Sequence, residues 1–164
     1  GCKPPDMEVF SKAINSGMYP LSVLALKKEV SEKYEVGTYG NTMCANPKAL
    51  DIGFETLNRL DKNVSNNIVN QGNNFVNMLN TLKHLYPHVI EEVTGTGLLI
   101  AAHINKKYAV VGENGLEINC RKRGLNVIHG GKNALRFTPY FLINENEIAL
   151  IKHILKDVFD DVCI

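Results

Sequence analysis

Lys12 is the residue in this 164-residue chain that is best placed to do covalent chemistry. It follows a short apolar run, Met7 to Phe10, and precedes a turn built from Asn15, Ser16 and Gly17, with Tyr19-Pro20 beyond. The run is too short for a helix and reads as a buried strand. Lys12 then sits just past a strand end, where α/β sheets place their ligands. A lysine whose stem is held against apolar neighbours can attack a carbonyl as a free amine. The plainer alternative is a solvated surface lysine, the usual fate of this residue type. A second stretch, Gly37 to Pro47, is rich in glycine and hydroxyl residues and opens directly into a helix.

Bulk properties narrow the field. Hydrophobic residues make up 45% of the chain and charged residues 21%, ordinary for a globular protein. The formal net charge is +1 and no run of basic residues stands out, which argues against nucleic acid or a membrane surface as partner. Cys2, Cys44, Cys120 and Cys163 lie far apart without metal-ligand spacing and read as free thiols. The five histidines show no metal spacing either, so no metal is expected. His129, in a Gly-rich turn, reads as a surface residue, with the mouth of an active site as the alternative. No apolar run approaches membrane-spanning length and no signal peptide is apparent, so a cytoplasmic location is expected.

The elements that must position Lys12 follow in order. Tyr19 to Leu26 reads as a second strand and Lys27 to Tyr34 as a short surface helix. Asn46 as N-cap and Pro47 at the first helical position begin the next helix, with Leu50, Phe54, Leu57 and Leu60 at helical spacing. Another helix spans about Val64 to Leu85, with Ile68, Phe75, Leu79, Leu82 and Leu85 as its stripe; Gly72 in its interior costs about 1 kcal/mol relative to alanine, which leaves room for a break there. Val89 to Ile104 reads as two strands hinged at Gly95-Thr96-Gly97, whose glycines signal close backbone packing. Tyr108 to Val111 adds a short extended piece. Leu116 to Arg123 is helical, with Gly124 as its C′ residue. Leu125 to Ile128 reads as a strand, His129 to Asn133 as a turn and Leu135 to Phe137 as the return strand. Asn144 and Glu147 form a capping arrangement for a last helix lined by Ile148, Ile151, Leu155, Val158 and Val162. A three- or four-stranded sheet covered on one side results.

Three segments carry a family resemblance. Lys12, Ala13, Gly17, Tyr19, Pro20 and Ser22 match a K-A-x-x-G-G-x-Y-P-x-S segment. Gly37, Gly40, Thr42, Asn46 and Pro47 match G-x-x-G-S-T-x-x-x-N-P, and Leu135, Arg136, Phe137 and Pro139 match L-R-F-x-P. Together they resemble the class III, fold type I aminotransferases dependent on pyridoxal phosphate (PLP), the group of ornithine and acetylornithine aminotransferases. Gly1 to Asp6 resembles the G-x-x-P-D that precedes the lysine strand in that family. The resemblance implies an α/β chain that forms the C-terminal part of a longer enzyme. Residues 1–56 would be the remnant of the PLP-binding large domain, and residues 57–164 the small α+β C-terminal domain. Apolar surface is expected to lie bare where large-domain elements would pack.

The resemblance also assigns roles. Lys12 would form the Schiff base with PLP and then act as general base and acid at the substrate carbon. Thr42 would donate its hydroxyl to the cofactor phosphate of a neighbouring subunit, which implies a homodimer with shared active sites; a capped turn before Pro47 is the alternative. Arg136 would grip the substrate α-carboxylate through two parallel hydrogen bonds, against the alternative of a structural salt bridge. The reaction would move an amino group from an amino acid or ω-amine donor to a 2-oxo acid. An aminomutase on the same scaffold, and a non-catalytic folding and dimerisation fragment, are the other readings. The chain departs from the family pattern at Ser16 (glycine in the family), Asn41 (serine), Cys44-Ala45 (a glycine pair), Thr94 (often arginine) and Tyr140-Phe141 (P-L).

Overall fold

The computed structural model describes residues 3–163 except Tyr39, Asn41 and Met43. Asn41 and the first two residues of the Gly1 to Asp6 segment therefore lie outside the described residues. The chain divides into two compact units, Gly1–Asp61 and Lys62–Ile164.

In the first unit, β1 (Met7–Ser11) pairs antiparallel with β2 (Ser22–Leu26), Phe10 opposite Val23 and Ser11 opposite Ser22. A 3-10 turn, Lys12–Asn15, follows β1 directly. The second strand begins at Ser22 rather than Tyr19: Pro20 has no N–H for a ladder, and Tyr19 spends its carbonyl on the Asn15 side-chain amide, 2.8 Å away. The strands are not buried. Met7 is 59% and Val9 67% exposed, because a two-stranded ribbon has no third layer to cover it. The apolar run identifies the strand but not what covers it, and the bare apolar surface anticipated above is present here. After the single-turn α1 (Lys28–Ser31), α2 (Pro47–Asn58) starts as expected, with the Asn46 side chain accepting from the backbone N–H groups of Lys48 and Ala49. Its Leu50, Phe54, Leu57 stripe is exposed. The buried positions are Ala49 and Gly53, where a Cβ on Gly53 would meet Leu21 at 3.0 Å, so the helix packs close on the lysine loop through its small residues.

The second unit holds a four-stranded antiparallel sheet in the order β3-β4-β6-β5: β3 (Ile90–Thr96), β4 (Leu99–Ile104), β5 (Ile128–Gly130) and β6 (Ala134–Phe137). The long α3 (Lys62–Leu85) packs on β3 and β4, and α5 (Glu145–Val162) packs on α3 and on α4 (Leu116–Lys122). Ile100, Ala102, Ile104, Leu135 and Phe137 turn inward onto Phe75, Leu79, Leu155 and Phe159, while the alternate residues of β4 and β6 form the opposite face. Phe75 and Phe137 stack at a ring separation of 5.2 Å.

Helix ends follow local chemistry. The Asn144–Glu147 capping box is complete. Gly124 (φ +84) closes α4, its N–H donating to Arg121 and that of Leu125 to Cys120. Two expectations give way, and one point left open is answered. The helix runs unbroken through Gly72, because Gly72 faces the Gly97 backbone and no Cβ would fit there. Tyr108 to Val111 forms no strand, because Asn133 takes up this loop instead: its amide donates to the carbonyls of Ile104, Asn105 and Tyr108, and its oxygen accepts from the Val110 N–H. The edge strand begins at Ile128 and runs through Gly130, since Leu125 to Val127 are used in leaving the α4 cap and burying Val127.

Lys156, one turn earlier on α5, and the Tyr86 hydroxyl, just beyond the end of α3, both donate to Asp160. These bonds, Lys156 first and Tyr86 second, hold the Asp160 carboxyl below its usual range. The native state therefore binds this proton more weakly than the unfolded chain. The stabilisation is fully present above the ordinary carboxylate pKa and is lost as pH falls through the lowered native value. Asp160→Asn is expected to flatten the acid side of a plot of urea midpoint against pH below about pH 4, leaving the neutral-pH slope unchanged.

Candidate active site

Lys12 lies on the rim of an open cleft of about 800 Å³ in the first unit, together with Ser11, Tyr19, Ser22, Cys44 and Asn46. Two local features bring it there. The end of β1 at Ser11 is pinned when the Ser11 hydroxyl donates to the Leu21 carbonyl at 3.3 Å, and the 3-10 turn is closed by buried Asn15, whose amide reaches Tyr19. Lys12 itself has φ +61, a left-handed conformation in a residue with a Cβ. Such backbone costs on the order of 1–3 kcal/mol and persists where surrounding structure imposes it, commonly at ligand sites. The side chain is exposed and makes no ion pair among the described residues, which leaves its amine available to a ligand.

Thr42 is exposed in the turn before Asn46 and does not line the cleft, although Cys44, two residues on, does. In the sequence, Cys44 carries no signal beyond its place in the family's glycine pair. Ala45, the second of that pair, has φ +57, and Ser16, also at a family glycine, has φ +57. Both departures therefore put a Cβ where glycine is the natural occupant. Ala45→Gly is expected to raise stability by about 0.5–1 kcal/mol, the relief of left-handed strain less the added freedom of the unfolded glycine. Ser16→Gly should be closer to neutral, since it also removes the 3.1 Å hydroxyl bond to Thr56. Urea midpoints of the two variants test the difference.

Arg136 belongs to the second unit. It stands on the sheet face turned away from α3, in a cross-strand row with Thr94, Ala101 and Ile128. It is exposed and unpaired among the described residues, so the salt-bridge alternative has no partner there. A guanidinium free on an otherwise uncharged row can receive a carboxylate end-on. Thr94 shares a 3.0 Å hydrogen bond with His103 on this face. His129 points the other way, its Nδ1 3.0 Å from Glu117 of α4, because it pairs with inward-facing Leu135. Tyr140 donates to both carboxylate oxygens of Glu147, and the Phe141 carbonyl accepts from Asn67, so both residues serve the start of α5. Burial pushes the Cys120 thiol up to about 11, with Arg123 opposing, and makes it inert.

The model of the family "Aminotransferase class-III" matches residues 2–159. The chain is 30% identical over 161 residues to the mitochondrial acetylornithine aminotransferase of Neurospora crassa, covering 98% of this chain and 34% of that protein. It is 32% identical over 146 residues to the acetylornithine aminotransferase of Shewanella oneidensis, covering 88% and 35%. The crystal structure of acetylornithine aminotransferase from Elizabethkingia anophelis superposes with a TM-score of 0.86 at 25% identity, over 97% of this chain and 42% of that one. The chain thus spans about a third of the length of the curated relatives it matches. By residues and by fold alike, it belongs to the class III aminotransferases, a PLP-dependent family.

Proposed function

We infer that this chain is the C-terminal part of an aminotransferase that moves an amino group from an amino acid or ω-amine to a 2-oxo acid in two half-reactions. The observation that carries this is Lys12: a strained, unpaired lysine on the rim of a cleft at a strand end. The donor set fits PLP, because a primary amine is the one side-chain group that can hold an aldehyde covalently and still exchange it for a substrate amine. When bound, PLP supplies the electron-withdrawing ring that makes the substrate's Cα–H acidic. Lys12 Nζ is the group that would hold the cofactor, and its amine would carry the proton off the substrate carbon and back. Arg136 orients the substrate by its carboxylate through paired N–H···O bonds. Thr42, outside this chain's own cleft, donates to the phosphate held by a second copy, so the working unit is a homodimer. Acetylornithine is the first donor to try, since both curated relatives are named for it. A cytoplasmic location goes with this reading.

The bare apolar side chains of β1, β2 and α2 favour a second reading for the 164 residues alone: a folding and dimerisation module that holds no cofactor until a longer chain covers those surfaces. One experiment serves both. PLP is added to this chain and, separately, to the full-length protein that carries it, followed by borohydride and peptide mapping. A visible absorption band and a reduced adduct on Lys12 in the full-length protein support the aminotransferase. A band in neither, or an adduct elsewhere, refutes it. An adduct in the long protein alone assigns the module reading to the isolated chain.

A further inference from the structure

We propose that Gly130 is a positioning residue for Arg136, the edge strand being bare enough at this point for the arginine's stem to lie against it. The proposal rests on the carboxylate role of Arg136. β5 pairs with β6 so that Ile128 stands opposite Arg136 and Gly130 opposite Ala134, which puts Gly130 diagonal to the arginine on the same sheet face. A Cβ built on Gly130 would lie 3.5 Å from Arg136 Cβ and 3.6 Å from its Cδ. Contact with both ends of the stem means that the arginine leans across Gly130 towards the sheet edge instead of standing off the sheet. The backbone does not call for glycine here: Gly130 has no left-handed φ, and an interior glycine weakens a strand. The guanidinium has no ion pair among the described residues to aim it, which leaves the contact of its stem with β5 to hold its direction. The 3.0 Å His129–Glu117 bond ties this strand to α4.

A methyl at position 130 would sit at ordinary contact distance, whereas the branched carbons of valine would occupy the volume that the stem now fills. The test uses full-length, PLP-loaded protein with N-acetyl-L-ornithine as donor. Gly130→Val is expected to raise KM about tenfold while kcat moves less than about threefold, with Gly130→Ala close to the parent. Its thermal midpoint should hold or rise, because valine favours a strand. In a double-mutant cycle, Gly130→Val added to Arg136→Ala should raise KM no further. An unchanged KM in Gly130→Val, or additive effects in the double variant, would overturn the proposal while leaving the role of Arg136 intact. An unchanged KM in Arg136→Ala would refute the carboxylate reading, and the proposal with it.

Discussion

Lys12→Ala is expected to lower kcat of the full-length protein by roughly 10³–10⁴-fold and to abolish borohydride-stable attachment of PLP to this position. Two functions are removed by one truncation, the covalent anchor and the proton carrier, and among the described residues no other amine lines the cleft. Lys12→Arg separates amine from charge. A guanidinium stays protonated and cannot form the exchangeable link, so this variant should be as inactive as alanine. If arginine restores activity, the residue acts only as a cation. Lys12→Gly separates chemistry from backbone. At φ +61 a glycine relieves strain, so this variant should be inactive yet at least as stable as the parent, whereas alanine, which keeps the Cβ, should not gain. A site built for function shows this opposition of stability and activity. A surface lysine with no ligand would show activity within about twofold of the parent in all three variants.

What could be read from the sequence depended on how far each determinant reaches along the chain. The Asn46-Pro47 start, the Asn144–Glu147 box and the Gly124 cap are decided within four or five residues, and all three formed as expected. The position of Lys12 at a strand end is equally local. Burial of the first strand was not local; it depends on a covering layer that Met7 to Ser11 cannot specify, and the strand is exposed. The edge strand starts later than its apolar run suggests because Leu125 closes the α4 cap and Val127 turns into the core, which no periodicity reports. Gly130 was for that reason assigned to a turn, and its contact with Arg136 could not be seen. Cys44 shares the cleft with Lys12 only because α2 and the lysine loop meet through Ala49 and Gly53, small residues that a search for apolar stripes passes over.

Gly72→Ala puts two physical effects in direct opposition. In the interior of a long helix, alanine is better than glycine by about 1 kcal/mol, and propensity alone predicts stabilisation. The contact says otherwise. A Cβ at position 72 would lie 2.3 Å from the Gly97 carbonyl oxygen, 2.7 Å from its carbon and 3.0 Å from its Cα, all backbone atoms of the turn joining β3 to β4. A flexible side chain could swing away, but this turn is fixed on both sides: Thr96 pairs with Leu99, and Gly97 itself sits at φ +53 with Ile68 at 3.0 Å from where its own Cβ would be. Relief therefore requires α3 to separate from the hairpin, opening space beside Phe75 and Val76. Such overpacking costs typically 1–3 kcal/mol for one added carbon in a core that can adjust, and more against backbone. The expected net is a loss of about 2–3 kcal/mol, read as a fall in the urea midpoint at constant slope. Asn73→Ala, one residue along on the exposed side of the same helix, is the control and should gain a few tenths of a kcal/mol from propensity alone. Opposite signs at adjacent positions would establish that helix and hairpin meet backbone to backbone at Gly72. A gain at both would mean that the turn yields freely and that the glycine pair is not what sets the spacing of helix and sheet.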